Sequence, residues 1–305
     1  MKPAALLGEG TPERPGPGPL PPELLRALQL DIARRLSGML AGDFRSAHHG
    51  PGTELAQVRP YVPGDDVRLM EWNVTARTGE PHVRVQLAER VLVTWLVLDT
   101  SPSMQFGTGE RRKADVAAGV ALGLGHIATR RGNRLGIVTF GDSSPQTVPP
   151  RQGRRGLLGL LGTLGREPEA AAGATSIGGA LGRVGAIARQ RGIVAVVSDF
   201  RGPLDWRAPL LRVLDRHDVL AIEIRDPREQ ELPDVGELWL VDPETGRQVR
   251  VDTGSASLRE RFAVAAADER SGVARVLSAL GVPHVVLSTS GDWLRPFAAF
   301  LGGRR

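Results

Sequence analysis

The chain has 305 residues, 41% of them hydrophobic and 24% charged, with a formal charge of +5. That length can bury a sizeable core in one large domain or in a domain with an appendage, and the composition is that of an ordinary soluble protein. The absence of cysteine excludes disulfides, thiolate zinc sites and a cysteine nucleophile, and it fits a reducing compartment.

Residues 1–22 are dense in Pro and Gly, a composition that packs no core, and are predicted to form a solvated tail. Leu24, Leu25, Leu28, Ile32, Leu36 and Leu40 recur at helical spacing and predict an amphipathic helix over 23–40. A polar segment punctuated by aromatics follows, containing a Pro63-Gly64-Asp65-Asp66 turn. His82 to Leu92 alternate apolar and polar as in a half-exposed strand. His48 and His49 have no acidic or Cys residue at ligand spacing and read as surface or hydrogen-bonding groups.

Val91 to Met104, VLVTWLVLDTSPSM, is the pivotal stretch. Its apolar, β-branched run predicts a strand buried on both faces, as at the centre of a parallel sheet. Such a strand delivers its last residues into the crevice at the carboxyl edge of the sheet. A helix over 112–131 is rich in Ala and Gly, and its small residues predict close approach to the sheet. Strand 135–140, a short antiparallel edge at 147–148 and helix 154–164 come next. Helix 177–190 follows the Thr175-Ser176 cap pair. Strand 193–197, helix 207–216 and strand 219–224 continue the alternation, and a β-hairpin insertion over 237–251 interrupts it. Helix 257–280, strand 284–287 and helix 292–301 close the chain.

Alternation over some 200 residues predicts an α/β fold with a doubly wound, mostly parallel sheet. The expected division is a tail over 1–22, an accessory segment over 23–90 and the α/β domain over 91–305. No signal-peptide core is present and no apolar run approaches the roughly 20 residues that span a bilayer. The expectation is a soluble, cytoplasmic protein without a membrane span.

In such a sheet, loops after different strands meet at one edge. Asp99, Ser101 and Ser103 end the central strand, Thr175 opens a helix, and Asp199 follows a later strand. Each alone reads as a helix cap or turn residue. Together they predict an all-oxygen site for a hard cation such as Mg²⁺, with coordination positions left for a carboxylate from a partner.

These residues also carry a resemblance. Asp99-Thr100-Ser101-Pro102-Ser103, with Thr175 and Asp199, resembles the metal-ion-dependent adhesion site of von Willebrand factor type A domains. Glu54-Leu55, Arg59-Pro60-Tyr61-Val62-Pro63-Gly64-Asp65-Asp66-Val67-Arg68, Glu71-Trp72 and Ala76-Arg77 are similar to the hallmark of the bacterial DUF58 family, in which an A-type domain follows. The resemblance implies a MoxR-type AAA+ ATPase as partner and no established catalytic activity. Glu71 departs from the family's usual Asp before Trp, and Ser176 stands where an Asp is common, removing one charge near the site. Read physically, Asp65, Asp66, Arg68, Glu71, Arg77 and Arg84 crowd around Tyr61 and Trp72. They form either a structural network around partly buried aromatics or a partner surface.

The functional expectation is a non-enzymatic, Mg²⁺-dependent protein-interaction module that grips an acidic residue of its partner. The alternative is a metal-dependent hydrolase or phosphatase using the same carboxylates, against which no P-loop, G-x-S-x-G or H-E-x-x-H motif is present. Nucleic acid binding is not expected. The sequence pI of about 10.6 arises because only two of the 39 basic residues are lysines and one tyrosine is present, so little titrates between His and Arg.

Overall fold

The computed structural model describes residues 49–87, 92–129, 133–164 and 176–302. The predicted tail, the predicted helix over 23–40, His48, and Thr175 lie outside the described residues. The chain divides into two compact units, residues 34–91 and the remainder.

In the first unit, strand β1 (His49–Pro60) pairs antiparallel with β2 (His82–Leu87), and helix α1 (Trp72–Thr78) lies between them in sequence. β1 is not legible as a strand because its register shifts twice, between His49 and Glu54 and between Leu55 and Gln57. Such irregularities break the two-residue alternation by which a strand is recognised. Gly64 sits at φ +108° in the predicted turn, where only glycine is unstrained.

The second unit is built on six strands in the order β10-β7-β6-β3-β4-β5. They are β3 (Val93–Asp99), β4 (Arg134–Phe140), β5 (Thr147–Gln152), β6 (Gly192–Ser198), β7 (Asp218–Arg225) and β10 (His284–Ser288). All adjacent pairs are parallel except β4 with β5, the antiparallel edge. Every residue of β3 and β6 is buried, which is why these segments are continuous apolar runs.

Seven helices of the described chain complete the labels, six of them in this unit: α2 (Lys113–Ala128), α3 (Gly153–Leu164), α4 (Ile177–Ile187), α5 (Arg207–Leu214), α6 (Ala256–Ala279) and α7 (Leu294–Leu301). One face of the sheet buries Trp95 and Val97 of β3 with Leu181 and Val184 of α4, Leu210 and Val213 of α5, and Val273 and Leu277 of α6. Helix α2 touches β3, β4, β6 and β7, and it packs on α3 and carries α7. The small residues of α2 serve neighbours more than the sheet alone. A Cβ on Gly125 would meet Leu160 of α3 at 2.6 Å before Leu135 of β4 at 3.3 Å, and Gly123 faces Phe297 of α7. Helices on both faces make the sheet doubly wound, as the alternation predicts.

The insertion is a separate antiparallel hairpin of β8 (Glu237–Val241) and β9 (Gln248–Asp252), largely exposed along both strands. Among the described residues no helix is long and apolar enough to cross a membrane.

Candidate functional site

From β3 the chain winds to β4 on one side, then returns past β3 to place β6 on the other. The carboxyl ends of β3 and β6 therefore flank the point where strand order reverses, which is where open α/β sheets form their ligand crevice. Asp99 is the last residue of β3, Ser198 is the last residue of β6, and Asp199 follows it directly.

Asp99 is buried. Its Oδ1 accepts from the Ser101 amide at 2.9 Å and its Oδ2 from the Ser198 hydroxyl at 2.5 Å. Burial, followed by the charge of Asp199, pushes its carboxyl up to about 7, against the opposing pull of these hydrogen bonds. Among the described residues no basic group pairs with Asp99. Pro102 starts a single 3₁₀ turn over Pro102–Gln105, and the hydroxyl of Ser101 leaves that turn uncapped. It lies instead 2.9 Å from the hydroxyl of Ser103.

Asp199 is buried and differs from Asp99 in having a cation. The Lys113 ammonium, fully buried at the start of α2, donates to Asp199 Oδ2 at 2.7 Å and to Glu229 Oε1 at 2.6 Å. Burial draws this ammonium down, but Asp199 and then Glu229 outweigh it and hold it above the ordinary lysine range. Arg201 donates to the same Glu229 oxygen at 3.1 Å. Directly after Asp199, Phe200 takes φ +53°, a left-handed conformation that a non-glycine residue holds only when its surroundings impose it. Here its ring is buried edge-on to Trp206 at 5.7 Å, and its amide donates to Ser198 Oγ at 3.0 Å. Ser198 thus ties Asp99 to the turn that carries Asp199.

The β4 end closes the crevice on the other side. The Thr100 hydroxyl donates to Asp142 Oδ2 at 2.9 Å and lies at 2.9 Å from the Phe140 carbonyl. Gly141, at φ +91°, has no room for a side chain, since a Cβ would fall 2.6 Å from Ser101 Cβ and 2.9 Å from Asp99 Oδ1. From the far side comes Glu244, at the tip of the β8–β9 hairpin, whose Oε1 accepts from the Ser103 amide at 3.0 Å.

The structure thus brings Asp99, Ser101, Ser103 and Asp199 to one edge. The donors are all oxygen, and a buried carboxylate without a basic partner stands beside a second one, a combination that fits a hard divalent cation. Among the described residues no three His, Cys, Asp or Glu side chains gather as a metal cluster, so hydroxyls and water must complete such a shell. Sequence reasoning missed Lys113, Ser198, Glu229 and Glu244. One signal was present: a lysine retained in a chain whose other basic residues, save Lys2, are arginines. Its compact ammonium bridges the buried Asp199 and the partly buried Glu229.

The hallmark residues lie in the first unit. Arg59 grips both oxygens of Asp65 at 2.7 Å, and Asp65 also accepts from the Val62 amide at 2.8 Å. Arg84 donates to Glu71, which is buried and which also accepts from the Asn73 amide at the start of α1. Arg84, followed by its charge and the Asn73 amide, holds the Glu71 carboxyl below its ordinary value against desolvation. Asp66 caps the Arg68 amide at 2.9 Å, and Arg77 Nε donates to the Asn73 carbonyl at 3.3 Å. Tyr61 is half-buried. Trp72, expected to be partly buried, is 68% exposed: it opens a seven-residue helix on a two-stranded sheet, too small a surface to cover an indole.

A doubly wound sheet of this strand order, with one antiparallel edge and an Asp-x-Ser-x-Ser loop at its switch point, is a von Willebrand factor A-like fold. The family described as "Protein of unknown function DUF58" matches residues 57–272, and the chain belongs to that family. It is 42% identical over 284 residues to the uncharacterized protein Rv1480 of Mycobacterium tuberculosis, covering 92% of this chain and 89% of that protein. Over 119 residues it is 45% identical to the uncharacterized protein MAV169 of Mycobacterium avium, covering 38% of this chain and 69% of that protein. Among solved structures it is similar to BatB from Bacteroides thetaiotaomicron, at 13% identity and TM-score 0.42, over 70% of this chain and 98% of that one. The SpRpn10 VWA domain is similar at 16% identity and TM-score 0.37, over 67% and 92%.

Proposed function

We propose that the carboxyl edge of the sheet is a protein-docking site that works through a hard divalent cation, Mg²⁺, and performs no bond-breaking chemistry. Asp99, Ser101, Ser103 and Asp199 are the residues that hold it, with Thr175 as a further hydroxyl. When bound, the cation supplies an electrophilic centre for a carboxylate of the partner. Asp99 carries the reading: it is a buried carboxylate without a basic partner among the described residues, set beside two facing hydroxyls. A buried carboxyl without a basic partner either keeps its proton or becomes charged when a cation compensates it.

The protein's own groups divide the work. Ser198 and the Ser101 amide orient Asp99, while Lys113 neutralises much of the charge of Asp199, so that the site is not a closed acidic cage. A site of low net charge still needs the carboxylate of a partner. The partner we propose, following the family resemblance, is a MoxR-type AAA+ ATPase, engaged in assembling or remodelling protein complexes. The exposed Trp72 supports a second contact surface on the hallmark unit, which also carries Arg59, Tyr61, Gly64, Asp65, Asp66, Arg68, Glu71 and Arg77.

The test is capture of partners from a bacterial lysate by the tagged full chain, with Mg²⁺ or with EDTA, using wild type and Asp99→Ala. Retention of the ATPase by wild type with Mg²⁺, and its loss in both other conditions, is expected. Equal capture by Asp99→Ala in Mg²⁺ defeats the metal-bridge reading.

A further inference from the structure

The hairpin insertion sends an acidic side chain to the site from 141 residues further along the chain. Its tip is preorganised: the Asp242 carboxylate accepts from the Glu244 amide at 3.0 Å and the Thr245 hydroxyl at 2.5 Å, and Asp242 and Arg247 pair through their backbones at 2.9 Å. Pro243 and Gly246, the latter at φ +69°, complete a tight turn that presents Glu244 at its apex. The hairpin's base is equally firm. Thr253 is buried, and its amide and hydroxyl both donate to the Gly236 carbonyl, at 2.7 and 2.6 Å. Arg259 donates to the Thr253 carbonyl at 2.5 Å and pairs with Asp234 at 3.1 Å.

Between base and tip the two strands are exposed, with Trp239 at 61%. The hairpin is an arm fixed at its root, whose apex reaches the rim of the site through the bond from the Ser103 amide to Glu244. An isolated two-stranded hairpin is marginal in water, so the order of the arm depends on its anchored base and on the landing at Ser103.

We propose that this hairpin is a tethered internal ligand: Glu244 holds the place at Ser103 that the acidic side chain of a partner takes, and the partner binds by displacing it. This rests on the docking reading above. The observed contact is a hydrogen bond from the amide of Ser103, one of the residues proposed to hold the cation, so the seated Glu244 stands where a partner's carboxylate approaches, at the high effective concentration of an intramolecular group. The apparent affinity for any acidic partner is then reduced by the fraction of time the arm is seated.

The experiment offers the arm back in trans. A fluorescent peptide with the sequence of residues 236–253 is titrated into the full chain in Mg²⁺, as wild type, Glu244→Ala, and Glu244→Ala combined with Asp99→Asn, which keeps the shape of the buried side chain. The expected result is about tenfold tighter binding to Glu244→Ala than to wild type. That gain is expected to disappear in EDTA, in the double variant, and with a peptide carrying Gln at the Glu244 position. Hydrogen exchange at the Ser103 amide is expected to speed up in Glu244→Ala without peptide. Equal binding by wild type and Glu244→Ala, no binding to either, or unchanged exchange at Ser103 overturns the tethered ligand. Calorimetric titration of Mg²⁺ into wild type and Asp99→Asn keeps the two claims apart: Asp99-dependent Mg²⁺ binding leaves the docking reading standing even where the arm proposal fails.

Discussion

The hallmark unit and the carboxyl edge of the sheet both carry ion pairs, yet the two regions use their charges oppositely. Arg59–Asp65 and Arg84–Glu71 pair one to one, with an arginine that is 32% and 47% exposed, so water screens whatever they gain. At the sheet edge Asp99, Asp199 and Lys113 are withdrawn from water; Asp199 and Glu229 share the lysine, the partly exposed Arg201 reaches Glu229, and Asp99 has no basic partner among the described residues. Burial, rather than charge density, separates a surface held by ordinary ion pairs from a site with an unmet demand for positive charge.

The largest expected effect probes the buried side of this contrast. Lys113→Met leaves Asp199 and Glu229 without their shared ammonium and is expected to cost about 3–5 kcal/mol in urea denaturation, the scale of breaking a buried pair from one side. A loss no greater than that of an exposed arginine substitution would dissolve the distinction.

Asp99→Asn is expected to move stability the other way when EDTA is present. The folded-state value of about 7 lies above the ordinary carboxyl range, so between about pH 4 and 7 the folded chain holds a proton that the unfolded chain has released. Stability of the wild type therefore falls as pH rises through that window, by up to roughly 1.4 kcal/mol per pH unit. The variant is expected to lose that slope in melts across the window and to gain nothing from added Mg²⁺. A slope that survives in Asp99→Asn would assign it to another group.

Gly141→Ala is expected to cost roughly 1–3 kcal/mol, combining a left-handed backbone with a collision at Ser101, and to weaken Mg²⁺ binding measured by calorimetry. Undiminished Mg²⁺ affinity would show that the loop can yield without disturbing the donors. The smallest effect belongs to the exposed region. Trp72→Ala is expected to shift stability by less than about 0.5 kcal/mol while reducing capture of the ATPase partner from lysate. Reduced stability with undiminished capture would make Trp72 a structural residue instead.

The six-stranded sheet was legible because its strands are buried on both faces, and VTWLVLD and GIVAVVS show that as unbroken apolar runs between glycine-rich helices. That Asp99, Ser101, Ser103 and Asp199 meet at one edge was legible, since strand ends in such a fold lead there. β1 was not, because its register shifts erase alternation. Phe200 at positive φ has no signature in a sequence, where its apolar side chain reads as one more core residue.

The order of apolar runs and turn residues by itself determined the α/β class, the hairpin insertion and which strand ends carry oxygen donors, for these follow from local periodicity. Family membership also followed from contiguous residues, Arg59 to Arg77. Tertiary structure alone decided which groups stand within reach across 86 residues, from Lys113 to Asp199, or across 141, from Ser103 to Glu244. A side chain's partners and its burial are properties of packing, and in this protein they separate a carboxylate paired with a lysine from one with no basic partner among the described residues.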